Sequence, residues 1–188
     1  MRMVKTAAER NRAVSPDPIL VPIQSWFERR GWTPLPFQQR SWAAYLEGHS
    51  GLIQVPTGSG KTFAAVMGPI AAMLAETGDH PGIRLLYITP LRALSRDLAL
   101  AIREPISEMR WPLRVGIRNG DSSSSERSKQ LKSPPQILVT TPESLTLLLS
   151  NSKAEELFRH LDTVVLDEWH ELMGSKRGTQ TELCLSWL

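Results

Sequence analysis

Cysteine is almost absent: Cys184 is the single one in a chain of 188 residues. That excludes a disulfide framework and a cysteine-built zinc cluster. Cys184 lies in an apolar helix-like run and reads as a small core residue. Long apolar runs are also missing, and nothing approaches the roughly 18 consecutive apolar residues of a membrane span. Met1-Arg2-Met3-Val4-Lys5 carries charge, but no apolar stretch follows it, so it does not read as a signal peptide. A cytoplasmic protein with no membrane partner is the expectation. Neither sign of charge dominates, since the formal net charge is only +3. Such a mild excess of base is compatible with nucleic acid without arguing for it.

What the chain does have is Val55-Pro56-Thr57-Gly58-Ser59-Gly60-Lys61-Thr62. An apolar run, Leu52–Val55, precedes it and a helix-like run from Phe63 follows. Strand, glycine-bearing turn and helix start together are the context of a phosphate-binding loop. Backbone N–H groups of the turn converge on one point, and the helix adds its positive end. Gly58 and Gly60 allow backbone angles that a side chain would obstruct. Lys61 suits the β- and γ-phosphates, and the Thr62 hydroxyl suits Mg²⁺. The general pattern has glycine where Val55 stands, so the loop is a variant form.

Along the chain, residues 1–18 show no apolar period and read as a flexible tail. Residues 19–50 read as a helical lead-in. Ile23, Trp26 and Phe27 share a face of a helix stopped near Gly31, and a second helix runs from Phe37-Gln38 through Trp42 and Leu46 to Gly48. From 51 to 188, five strand-like runs alternate with helix-like ones: Leu52–Val55, Arg84–Thr89, Arg114–Arg118, Gln136–Thr141 and Thr163–Asp167. The helical runs lie near 61–77, 91–108, 124–132 and 143–159. This alternation predicts an α/β fold with a parallel sheet covered by helices on both faces. Ligands in such sheets bind beyond the carboxyl ends of the strands, where every motif discussed here falls.

The last of those strands, Thr163-Val164-Val165-Leu166, delivers Asp167-Glu168-Trp169-His170. A buried strand with an acid at its tip matches the Walker B arrangement. Asp167 would hold Mg²⁺ and Glu168 would polarise the attacking water. His170-Glu171 begins like a zinc-protease motif, but position 174 is glycine where a second histidine is needed, so zinc is rejected. Trp169 reads as a packing residue.

Asp167 through His170 form a DExH box, and with the P-loop they resemble the superfamily 2 helicases. The closer resemblance is to the Lhr (large helicase-related) family, in its ligase-associated DExH-box branch. It is carried by Trp26-Phe27, Phe37-Gln38, Trp42, the P-loop, Thr89-Pro90-Leu91-Arg92-Ala93-Leu94, Gly120-Asp121, Thr141-Pro142-Glu143-Ser144 and Asp167 through Arg177-Gly178, spanning about residues 23–188. The resemblance implies a RecA-like P-loop NTPase domain using ATP and Mg²⁺. Lys61, Asp167, Glu168 and His170 would be its catalytic set. Gln38 would recognise adenine, with Gln39 as its rival, and the loop from Val55 to Thr62 would hold the phosphates.

Thr89, Pro90 and Arg92, Gly120 and Asp121, and Thr141, Pro142 and Glu143 resemble elements that grip the sugar-phosphate backbone of a single strand. A proline at a first helical turn and a free helix N-terminus suit such a contact. Lys176 and Arg177 either extend this track or form a solvated turn. The implied function is an ATP-dependent DNA helicase or translocase in DNA repair, with DNA ligase or nuclease partners by analogy alone. An RNA helicase, or a non-catalytic nucleotide- or nucleic-acid-binding fragment, stay open. The family continues with a Ser-Ala-Thr strand and a second RecA-like domain, so the chain is expected to be a C-terminally truncated first lobe whose sheet lacks a central strand.

Overall fold

The computed structural model describes residues 17–188 apart from positions 57, 79, 80 and 173. Most of the expected tail, residues 1–16, therefore lies outside the described residues. Its last two positions are ordered. Asp17 accepts a hydrogen bond from the Ile19 N–H at 3.0 Å and caps a short 3₁₀ turn, Pro18–Leu20.

The lead-in folds as two helices, α1 (Val21–Arg29) and α2 (Pro36–Leu46). Gly31 and Gly48 follow them with φ of 66° and 79°, the left-handed conformation that stops a helix cheaply at glycine. Next come α3 (Lys61–Ala75), β1 (Leu85–Ile88), α4 (Arg92–Glu108), β2 (Val115–Arg118), α5 (Ser124–Lys132) and β3 (Ile137–Thr140). The chain then forms α6 (Pro142–Leu149), α7 (Ala154–Phe158), β4 (Thr163–Leu166), α8 (Trp169–Leu172) and α9 (Lys176–Trp187). Helix α5 starts from a capping box in which Ser123 and Glu126 satisfy each other's backbone N–H groups.

All pairings in the sheet are parallel, in the order β2-β3-β1-β4. Strand β1 is central and apolar on both sides. Leu85 and Tyr87 join Ile137 and Val139 in a core closed by α1 to α4, with Trp26, Trp42, Met67, Ile70 and Ile102 at its centre. Leu86, Ile88 and Leu138 face the other way, onto Leu145, Leu148, Leu157, Phe158 and Cys184. Helices thus cover both faces, as the near-continuous apolar strands require. Cys184 is 4% exposed, the core residue its surroundings predicted.

Two expectations need correction. Leu52–Val55 is not a strand. It is irregular, and Leu52 is 82% exposed. A strand needs a ladder to join, and among the described residues no strand lies beyond β4. The helical run near 143–159 is broken in two, because polar Asn151-Ser152-Lys153 turns the chain. The Asn151 side-chain oxygen accepts from the Lys153 N–H, and its backbone carbonyl accepts from Ala154.

Helix α9 is pressed against α8 through a glycine. A methyl group at Gly178 would stand 2.1 Å from the Leu172 carbonyl oxygen. Gly178→Ala must push the helices apart, with an expected loss of about 1–3 kcal/mol in equilibrium urea unfolding. Gly51→Ala, where nothing lies within 4 Å, serves as the control with little change.

Candidate nucleotide and nucleic-acid sites

Because every strand runs the same way, their carboxyl ends share one edge. That edge carries Thr89-Pro90 after β1, Gly120 after β2, Thr141-Pro142 after β3 and Asp167 after β4. The phosphate-binding turn stands beside the last of these. Gly58 and Gly60 have φ of 77° and 89°, and Gly60 is the N-cap of α3 with no side chain capping it. Ser59 donates its hydroxyl to the Pro56 carbonyl at 2.6 Å, tightening the turn. Thr57 is outside the described residues, and Val55 is half-buried just ahead of the turn.

The Lys61 ammonium donates to the Glu168 carboxylate at 3.1 Å across 107 residues of sequence. Asp167 is the adjacent residue, and its backbone N–H donates to the Ile88 carbonyl at 2.9 Å, continuing the β4 ladder. Looped lysine and strand-tip acids therefore share one cleft. Burial raises the Asp167 carboxyl above its ordinary value, and the Glu168 charge adds to this. The Glu168 N–H, the Tyr87 hydroxyl and Lys61 oppose it. A partly desolvated acid with an excess of nearby negative charge is a setting that a divalent cation relieves. Glu168 itself has φ of 45°, uncommon for a residue with a side chain and frequent where function holds the backbone. His170 is exposed and lies 3.5 Å from Glu168.

Tyr87 belongs to this cleft, although the sequence reading treated it only as a strand residue. It is 2% exposed and its hydroxyl engages both Asp167 and Thr62. Burial pushes the phenol far above its usual range, and the Asp167 charge pushes the same way, so it stays protonated as a donor. The signal was one polar tip within the apolar run Leu85-Leu86-Tyr87-Ile88.

The structure also separates the two glutamines. Gln38 is 3% exposed, accepts from the Leu35 N–H at 2.9 Å and donates to the Gly60 carbonyl at 3.1 Å. One amide N–H remains for a ligand at the P-loop. Gln39 turns away and donates to the Pro34 carbonyl.

The strand-end motifs divide by exposure. Arg92, Gly120 and Asp121 are exposed, and the Arg92 guanidinium lies over Gly120 so closely that a methyl there would meet it at 2.7 Å. The two motifs thus form one surface. Asp121 has Arg96 at 4.0 Å to balance its charge. Thr89, Pro90, Thr141 and Pro142 are buried and shape the starts of α4 and α6 instead. Neither helix has a side-chain cap, which leaves first-turn N–H groups open to an anion. Glu143 does not face outward alone, because its carboxylate pairs with Arg177 at 2.6 Å. Burial pushes Glu143 up, but its own N–H, the Thr141 hydroxyl and Arg177 outweigh this and hold it below the usual carboxylate range.

A parallel sheet with a P-loop opening α3 and paired acids at the end of β4 defines the RecA-like nucleotide-binding class. Comparison with known proteins narrows it. The DEAD/DEAH box helicase family matches residues 35–188, and the chain belongs to that family. The Lhr helicase/uracil glycosylase of Escherichia coli (strain K12) is 37% identical over 92% of this chain and 12% of its own length. The ATP-dependent helicase Lhr-Core protein 2 of Thermococcus barophilus is 37% identical over 89% of this chain and 21% of its own. Among solved structures, Mycobacterium smegmatis helicase Lhr bound to ssDNA and AMP-PNP superposes with a TM-score of 0.78. It is 34% identical over 89% of this chain and 22% of that one. The chain thus spans about an eighth to a fifth of the length of these relatives, and its resemblance to the Lhr family is upheld.

Tyr87→Phe removes the hydroxyl that donates to Asp167 and leaves Asp167 and Thr62 in place. The magnesium concentration needed for half-maximal nucleotide binding is expected to rise about 10–100-fold, the usual cost of losing a partner behind a metal ligand. Titration of a fluorescent ATP analogue at varied Mg²⁺ measures it, and affinity without the metal should hold.

Proposed function

We propose that this domain is the ATP-binding lobe of a superfamily 2 motor of the Lhr type, which couples ATP hydrolysis to movement along single-stranded DNA. The observation that carries the reading is the contact between Lys61, the first residue of α3, and Glu168 beside Asp167. A triphosphate seated on the turn from Val55 to Thr62 takes Glu168's place on Lys61. Thr62 and Asp167 would hold a magnesium ion, and that ion would supply charge neutralisation at the phosphates. Glu168, freed from Lys61, orients the attacking water, and His170 stands at the rim of the same cleft. Gln38 keeps the adenine in register with its free amide donor.

The single strand lies along the Arg92–Gly120 surface and the open starts of α4 and α6. Contacts of this kind position a backbone without reading bases. Single-stranded DNA is preferred as the ligand because the similar Lhr structure holds ssDNA. An RNA reading is supported by one relative, the DExH-box ATP-dependent RNA helicase DExH15 of Arabidopsis thaliana, 35% identical over 78% of this chain. A role in DNA repair and work beside a ligase or nuclease remain part of the proposal by family analogy. A cytoplasmic location belongs to it too; no helix among the described residues is long and apolar enough to cross a membrane.

Lys61→Ala should abolish detectable binding of a fluorescent ATP analogue. In a polypeptide that also carries a second RecA-like lobe, it should abolish strand-stimulated ATPase activity; undiminished turnover rejects the motor reading. Matched DNA and RNA oligonucleotides, compared as activators, decide between the two substrates. The 188-residue chain should bind a single strand weakly, with a dissociation constant of about 10⁻⁴–10⁻⁶ M at physiological salt, weakening as salt rises. It should not separate a duplex.

A further inference from the structure

Arg177 sits where three segments meet, and the nucleotide chemistry does not use it. Its guanidinium reaches the Pro90 carbonyl ahead of α4 at 3.2 Å and the Glu143 carboxylate in the first turn of α6 at 2.6 Å. It is itself the second residue of α9. Glu143 has one buried carboxylate oxygen with no hydrogen-bond partner, and the Thr89 hydroxyl beside Pro90 is likewise buried and unpartnered. These strand ends are underbonded, so a single two-pronged contact supplies much of what fixes them. The position of Arg177 is fixed in turn from the nucleotide side. Ser175 caps α9 by accepting from the Gly178 N–H at 3.2 Å, and Gly178 lies flat against the last carbonyl of α8. Helix α8 begins directly after Glu168, the residue bound to Lys61.

We infer that Arg177 is a positioning residue that ties the starts of α4 and α6 together at fixed spacing and links that spacing to the Walker B turn. It acts as a brace, with Nε held by Glu143 and Nη1 by the Pro90 carbonyl; its remaining N–H donors are what the salt slope below tests for phosphate contact. This rests on the proposal that those helix starts hold the nucleic-acid backbone. Arginine suits the task because its planar fork serves two acceptors at once, whereas lysine offers a single point charge.

The test uses the 188-residue chain, a fluorescent oligo-dT strand and amide hydrogen exchange. Arg177→Ala should speed exchange in the first hydrogen-bonded turns of α4 and α6, including the Leu145 N–H that donates to Thr141. It should weaken strand binding roughly 3- to 30-fold. The slope of affinity against salt should stay as in the wild type. Binding of an ATP analogue without strand should not change. Arg177→Lys should fall between the two, and it carries the comparison if Arg177→Ala does not fold. Glu143→Gln combined with Arg177→Ala should cost no more than the worse single change.

Unchanged exchange at both helix starts overturns the inference. So does a salt slope shallower by about 0.7, the mark of one lost phosphate contact on a single strand. If the wild-type chain shows no strand affinity while Arg177→Ala still loosens both helix starts, the strand reading fails and the brace stands.

Discussion

Parallel pairing of β1 with both β3 and β4 is the constraint from which the rest follows. In register, Ile88 lies opposite Thr140 on one side and Leu166 on the other. Each strand therefore ends at the same level, and whatever residue comes next is delivered to one edge. Antiparallel pairing of β4 would carry Asp167 to the far side of the sheet and leave Lys61 facing solvent. The long connections that parallel strands demand are the helices, and these bury both apolar faces. Fold and site are thus one consequence of strand direction.

The cleft at that edge holds more negative than positive charge. Asp167 and Glu168 face one ammonium, and burial, with the Glu168 charge added, raises the Asp167 carboxyl. Tyr87 adds a neutral donor within the core, which steadies Asp167 without cancelling its charge. The ends of β1, β2 and β3 have the opposite balance. Arg92 and Arg96 are exposed there, while the acids Asp121 and Glu143 are each matched by an arginine. Charge is therefore divided along one edge, with acids in excess beside β4 and arginines in excess across β1, β2 and β3.

Much of this was legible in the sequence because the signals were local. Apolar alternation located four strands, Gly58 and Gly60 located the turn, and the acid pair after Leu166 located the second half of the cleft. Where the sequence reading failed, the cause was a partner distant in the chain. Leu52–Val55 has strand composition but no ladder to join. The ion pair between Glu143 and Arg177 likewise has no local signal in the sequence. Gln38 was preferred to Gln39 through the resemblance, and its contact with Gly60 adds a geometric reason that no local pattern carries. Tyr87 gave no local hint of its hydroxyl's neighbours, because those depend on register with β4.

The outer side of β4 carries a different consequence. Among the described residues no strand pairs with it there, and Val164 is 37% exposed. Natural sheets usually protect such margins with charge, proline or a bulge, yet Thr163-Val164-Val165-Leu166 has none of these. At high protein concentration this margin is a template on which other copies of the chain can add strands. Colloidal behaviour, not catalytic chemistry, then sets how concentrated a sample of the 188-residue chain can be kept.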